Sequence, residues 1–201
     1  MSQVATAVVF ESPGTLSLRE VGLPDCDPSD CLVEVDYSGI STGTERLLWD
    51  GRMPPFPGLN YPLVPGYESV GRVITAGPEA TVSPGSVVFI PGSRGFQDVA
   101  GLFGGAARQL VVNSSRLVPL QPSTGAEGVL LALIATAVHA IKRFDDDQLP
   151  ELVVGHGVLG TTGGANLRRT GGRTGHRLGA GPRPPGQQRR LSRGHTQGRF
   201  G

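Results

Sequence analysis

Leu152-Val153-Val154-Gly155-His156-Gly157-Val158-Leu159-Gly160 is the stretch that decides the fold. Three apolar residues run into a GxGxxG turn, which predicts a short buried strand, a tight glycine turn and the N-terminus of a helix. Backbone N–H groups at such a helix start can face a pyrophosphate with no side chain in the way. Alone, the pattern is weak; what precedes it gives it weight. Thr124-x-x-Glu127 has capping-box spacing. Leu130, Leu133, Ile134, Ala137, Val138 and Ile141 then recur at three and four, which predicts one largely apolar, mostly buried helix of about 20 residues. Asp145-Asp146-Asp147 and Pro150 end it.

Further toward the N-terminus the period is two. Val4–Phe10 and Leu16–Val21 read as paired strands around Ser12-Pro13-Gly14. Across Cys31–Tyr37, Val33, Val35 and Tyr37 share one face while Glu34 and Asp36 take the other, as a half-buried strand requires. Tyr67–Ile74, Ser86–Ile90, Arg108–Val112 and Arg116–Leu120 continue the series. About seven short strands with Gly/Pro turns describe a compact barrel or sandwich.

Two loops interrupt the strands. Ser38-Gly39-Ile40-Ser41-Thr42-Gly43-Thr44-Glu45 is dense in hydroxyls. It suits a loop that presents donors, and equally a capped turn into a short helix at Glu45–Trp49. Met53–Gly66 holds five prolines, which fix the backbone and remove amide donors, so it is neither helix nor central strand. Phe56 and Tyr61 are its aromatics, with Trp49 just before it. They either line a pocket for a large flat ligand or seal one end of the barrel.

The formal charge of +1 hides a split. Residues 1–160 carry 9 basic and all 17 acidic side chains, whereas residues 161–201 carry 9 arginines and no acid. Cys26 and Cys31 are the only cysteines, and no charged-then-apolar leader opens the chain, which together fit a reducing cytoplasm better than a disulfide scaffold. The longest apolar run, Val129 to Val138, is far shorter than the ~20 residues of a membrane span, so no integral membrane span is expected.

With these elements in place, the chain from about Ala7 to Gly160 resembles the medium-chain dehydrogenase/reductase family. Pro65-Gly66-Tyr67-Glu68-Ser69-Val70-Gly71 resembles its PGHE-x-x-G element, Ser83–Val88 its turn into the GDxV strand, and Ala135–Ala140 the helix segment whose threonine, here Thr136, approaches the nicotinamide. Ser38–Glu45 and Met53–Glu68 together resemble, more narrowly, a branch that oxidises the hydroxyethyl substituent of a bacteriochlorophyllide to acetyl with NAD. That resemblance implies a tetrapyrrole substrate, a pocket of Trp49, Phe56 and Tyr61, cofactor binding by Thr136, Gly155, Gly157 and Gly160, and a homo-oligomer in the full-length enzyme. It implies an α+β chain: a GroES-like β-barrel over 1–122, then a linking helix and the truncated start of a Rossmann domain over 123–160.

The catalytic zinc of the family has no counterpart in these residues. Its cysteine position falls at Ser41, with one extra residue in the loop, its PGHE histidine is Tyr67, and 131–135 contains no Cys, His, Asp or Glu. The four-cysteine lobe is also missing from 92–105. Zinc needs thiolate, imidazole or carboxylate ligands, so a zinc-free member is expected. Fixed donors and a proton relay must then stabilise the developing alkoxide; the candidates are Ser41, Thr42, Thr44, Tyr67 and Glu68. Glu68 has a structural alternative, the pairing of buried polar groups, and Thr136 has one in bonding the carbonyl four residues back.

Residues 161–201 break the pattern. They contain no Val or Ile, 9 Arg and 11 Gly, and no acid about 20 residues past the turn to bind a ribose. They predict a disordered tail, read as an out-of-frame translation of G+C-rich sequence or as a genuine basic arm, and a chain inactive as written. The competing functions are a zinc-free NADPH-dependent quinone or enone reductase and a non-catalytic barrel whose arm binds nucleic acid. The arm lacks the interleaved aromatics of a stacking surface, so no nucleic-acid partner is expected.

Overall fold

A computed structural model of the chain describes residues 3–144, 150, 152–155 and 157–169. By its contacts the chain divides into two units, Met1–Thr136 and Ala137–Gly201.

In the first unit, β1 (Val4–Ser12) and β2 (Thr15–Gly22) form an antiparallel hairpin. A second sheet of five antiparallel strands runs in the order β6-β3-β4-β5-β7. Its strands are β3 (Asp30–Ser38), β4 (Ser69–Ala76), β5 (Val87–Ile90), β6 (Gln109–Asn113) and β7 (Val118–Pro119). Single bridges from Ala7 to Ala107 and from Phe10 to Leu63 tie the hairpin to the rest, giving the barrel, which the family resemblance implies and which is one of the two forms the strand pattern allows. The core between them is built largely from β-branched residues, with Val9, Val33, Val64, Val88, Ile90 and Leu110 wholly buried. Such side chains fit a pleated surface and lose little rotamer freedom there.

β3 departs from simple alternation. As the strand flanked by β4 and β6, it is buried on both faces at its start: Leu32 packs with Ala5, Leu23 and Val111, and Val33 with the main core. A register shift between Val35 and Tyr37 then turns Tyr37 outward to 47% exposure, because a bulge breaks the two-residue period. The hydroxyl loop ends in α1 (Thr44–Trp49), as expected, and its buried face carries Glu45 and Leu48.

The long helix is shorter than its sequence suggests. A 3-10 turn, Ala126–Leu130, precedes α2 (Leu131–Ile141). Its cap position is Gly125, with no side-chain bond, so Thr124 and Glu127 close no capping box. Gly128 lies flush against β4 here: a Cβ on it would come 2.7 Å from Val70 Cγ2. Within α2 only Ala137 is buried, and Ile134 is 36% exposed.

In the second unit, 152–154 forms no strand and Val154 is 88% exposed. A strand needs a neighbour to take its backbone hydrogen bonds, and none pairs with it among the described residues. After the glycine turn comes α3 (Val158–Arg169), which runs past Gly160 into the segment read as disordered. The rest of that segment, 170–201, lies outside the described residues.

Candidate functional site

A cleft of about 860 Å3 opens on the first unit between the β1–β2 hairpin, the end of β3 and α1. One wall is apolar, from Val8, Phe10, Leu16, Leu18 and Trp49. The polar end carries Ser38, Ser41, Thr42 and Glu45, with Asp36, Arg46, Asp50 and Arg108 among the other charged groups around it. An apolar cavity with a few convergent polar groups is the usual form of a small-molecule site.

The loop's own hydrogen bonds set that polar end. Ser41 Oγ accepts from Thr44 N at 3.3 Å, and the Glu45 carboxylate accepts from Ser41 N. These reciprocal bonds tie the loop to the first turn of α1, whose cap position, Gly43, makes no side-chain bond, so Ser41 and the Thr44 amide serve the turn as well as the loop. Thr42 is exposed on the cleft, and its hydroxyl has no hydrogen-bond partner among the described residues. Thr44 lies off the cleft lining, and so does Tyr67, whose ring meets Phe103 edge-on at 5.5 Å.

Glu68 is only 7% exposed. Its backbone oxygen accepts from Gly39 N at 2.6 Å, and Gly39 lines the cleft. A Cβ on Gly39 would come within 3.1 Å of Glu68 Oε2, so glycine leaves room for this carboxylate. Glu45, at 6% exposure, is a site residue that the sequence reading passed over. Its signal was there: Glu45, Leu48 and Trp49 stand at i, i+3 and i+4, one face of a short helix.

Burial raises the Glu45 carboxyl above its ordinary value of 4.5, the hydrogen bond from Ser41 N opposes this, and the Glu68 charge adds to the rise. Burial alone raises Glu68. A carboxyl with a raised folded-state pKa binds more protons folded than unfolded, so its contribution to stability is full below the unfolded value and is lost as pH rises through the folded one. Denaturation midpoints are therefore expected to fall across the window just above the ordinary glutamate range, and Glu68→Gln to flatten that fall. Glu11, lowered chiefly by its bond from Ser17, slopes the opposite way and is the internal control. A midpoint rising through that window in both proteins would contradict the burial of this pair.

The aromatic residues separate. Trp49 lines the cleft and meets Phe10 edge-on at 5.6 Å. Phe56 is 38% exposed and lies off the cleft lining. Tyr61 packs beside Phe10, Leu48 and Leu63, and its hydroxyl donates to Leu48 O, holding the end of α1. Thr136 is exposed and donates to Ala132 O at 2.9 Å, the back-bond of an ordinary helix threonine.

The glycine turn keeps features that a dinucleotide turn needs. Gly155 has φ +97°, in the left-handed region that favours glycine. A Cβ on Gly160 would overlap Gly155 O, whereas Gly157 faces open space where a phosphate can approach. The position is otherwise for zinc: Ser41 and Tyr67 are not zinc donors, and no group of three or more His, Cys, Asp or Glu side chains among the described residues could hold a metal.

An NADP-bound putative zinc-binding dehydrogenase from Sinorhizobium meliloti has the same fold, with TM-score 0.62 at 22% identity, covering 85% of this chain and 54% of that one. Residues 27–122 match the alcohol dehydrogenase GroES-like domain. Residues 27–122 thus belong to the family of alcohol dehydrogenase GroES-like domains. Among the chain's relatives, the 2-desacetyl-2-hydroxyethyl bacteriochlorophyllide A dehydrogenase of Rhodobacter capsulatus is 54% identical over 154 residues, 76% of this chain and 49% of that protein. The protein of the same name from Cereibacter sphaeroides is 49% identical over 160 residues, 77% of this chain and 50% of its own. The chain thus spans about half the length of the curated relatives it matches. These relatives bear out the resemblance drawn from Ser38–Glu45 and Met53–Glu68. No helix among the described residues is long and apolar enough to cross a membrane.

Proposed function

We propose that the intact protein is a zinc-free secondary-alcohol dehydrogenase that oxidises the 3-(1-hydroxyethyl) group of a bacteriochlorophyllide to 3-acetyl with NAD. The observation that carries this reading is the cleft, whose apolar wall ends at hydroxyl and carboxylate groups. A flat macrocycle can lie along Val8, Leu16, Leu18 and Trp49 while its hydroxyethyl arm reaches Thr42. The names of the two bacteriochlorophyllide dehydrogenase relatives support that substrate.

Gly155, Gly157 and Gly160 would hold the dinucleotide's pyrophosphate, and Thr136 would stand near its nicotinamide. Bound, this cofactor supplies the hydride acceptor. The NADP-bound neighbour supports a nicotinamide, and NAD is the choice that the family branch implies. The chain's own residues do the rest. Thr42 hydrogen-bonds the substrate oxygen, Ser41 and Thr44 fix the loop that carries it, and Glu68 sits behind that loop against Gly39. Tyr67 takes the sequence position of a metal ligand, but its ring packs on Phe103 off the cleft lining, so it supports the site from outside the cleft. Trp49 is the pocket aromatic of this reading; Phe56 and Tyr61 shape the loop beside it. The intact protein works in the cytoplasm, where its two thiols stay reduced, and assembles as a homo-oligomer.

The test is turnover by a polypeptide that joins this barrel to a cofactor-binding half. The expected result is NAD reduction with 3-(1-hydroxyethyl)bacteriochlorophyllide a in metal-free buffer, undiminished by chelator. Preference for NADPH and a quinone, with no pigment turnover, would replace this reading by the reductase.

A further inference from the structure

Within the first unit two buried carboxylates, Glu45 and Glu68, have no ion pair among the described residues. Glu45 is fixed by the hydrogen bond from Ser41 N to its Oε2, and no donor reaches its Oε1 among the described residues. No buried side-chain oxygen there is both sealed and unpartnered, so Oε1 touches accessible space. Glu45 lines the cleft, and that space is the cleft. Glu68 is more than nine-tenths buried, and no donor reaches its carboxylate among the described residues. It lies behind the lining against Gly39, and its charge acts on Glu45.

The cations of the cleft lining are paired with other acids. Arg46 pairs with Asp50 at 3.6 Å and Arg108 with Glu34 at 3.3 Å. Asp36 and Asp50, the other acids on the lining, add no positive charge. A buried carboxylate held by one backbone N–H and faced by a second carboxylate is a stronger base than an exposed one. That is the property a zinc-free alcohol oxidation requires of its proton acceptor.

We propose that Glu45 accepts the proton of the substrate hydroxyl at the polar end of the cleft, with Glu68 as the positioning residue behind it. The inference rests on the proposed dehydrogenase reading. As the O–H bond breaks, its proton passes to Glu45 Oε1, directly or across the Thr42 hydroxyl. The C–H bond breaks with its electron pair leaving as hydride to the nicotinamide oxidant, and the C–O bond becomes C=O. Glu45 then returns the proton to water through the cleft.

The test uses the 201-residue chain with 13C-carboxyl glutamate, titrated by NMR as wild type, Glu45→Gln and Glu68→Gln. Glutamine still accepts from Ser41 N through its amide oxygen, so the bond between the loop and α1 survives. The expected result is two signals that titrate above those of the exposed glutamates, Glu68 lost in Glu68→Gln, and Glu45 lost in Glu45→Gln and moved down in pH in Glu68→Gln. Titration of Glu45 with the exposed glutamates, or at the same pH in Glu68→Gln, would overturn the inference. In the second arm, 3-(1-hydroxyethyl)bacteriochlorophyllide a shifts the Glu45 signal. The 3-acetyl pigment, which lacks that O–H, binds without the same shift. Bound alcohol that leaves Glu45 unmoved overturns this inference alone. Failure of either pigment to bind overturns the dehydrogenase reading, and the proton donor with it.

Discussion

Gly71→Ala is expected to abolish the folded barrel or lower its melting temperature by roughly 10–20 °C, a loss of about 3 kcal/mol at the upper end of overpacking. Gly71 lies buried in β4 opposite Val35 of β3. A Cβ there would overlap the Glu34 carbonyl oxygen and come within 3.0 Å of Val35 Cα. Both are backbone atoms, and neither can turn aside as a long side chain would. The same two strands carry the register shift between Val35 and Tyr37, so displacing β3 also displaces the route into Gly39 and the hydroxyl loop. Gly85→Ala is the comparison. Its φ is +86°, but a Cβ on it meets nothing within 4 Å, so it carries only backbone strain of about 1 kcal/mol. Thermal denaturation of both variants checks this; equal melting temperatures would mean that β3 and β4 do not approach as closely as described.

The second large effect is on binding. Trp49→Ala is expected to weaken 3-(1-hydroxyethyl)bacteriochlorophyllide a binding by about 30- to 100-fold, since burying an aromatic face contributes about 2–3 kcal/mol. Phe56→Ala is expected to change it less than about threefold, within the range of ordinary surface substitutions. The difference follows from placement: Trp49 is on the cleft wall and Phe56 is not. Removing Trp49 also removes its edge contact with Phe10, so Trp49→Phe, which keeps a ring against Phe10, should recover part of the affinity. Comparable losses from Phe56→Ala and Trp49→Ala would move the pigment out of this cleft and onto the proline-rich loop.

Much of the fold was legible because the barrel strands are short, apolar and punctuated by glycine and proline. The hairpin at Pro13-Gly14, the helix after Gly43 and the strand at Val87–Ile90 stand where the sequence put them. The failures have physical causes. Leu152–Val154 has strand composition, but a strand exists only with a partner, and none pairs with it among the described residues. Thr124 and Glu127 have the spacing of a capping box, yet Gly128 packs so closely on Val70 that the segment forms a 3-10 turn. Residues 161–169 fit no apolar period and are still helical, because backbone bonds such as Thr161 N to Gly157 O do not depend on an apolar face.

The site was legible by residue type more than by role. The hydroxyl loop led to the cleft through Ser41 and Thr42, and the aromatic list led to it through Trp49. Proximity in sequence could not separate Trp49 from Phe56 and Tyr61, since only the fold decides which ring faces the cavity. Glu45 read as the first residue of a helix, and its burial beside Glu68 depends on how Gly39 and β4 come together.

Trp49 is the only tryptophan in the chain, so its emission reports on this cleft and nowhere else. The most direct measurement is a titration of the 201-residue chain with 3-(1-hydroxyethyl)bacteriochlorophyllide a, following Trp49 fluorescence. Saturable one-to-one quenching, weakened by Leu18→Asp on the same apolar wall, is the predicted result. Unquenched emission at pigment concentrations that saturate the chain by equilibrium dialysis, or no binding by either method, would contradict it.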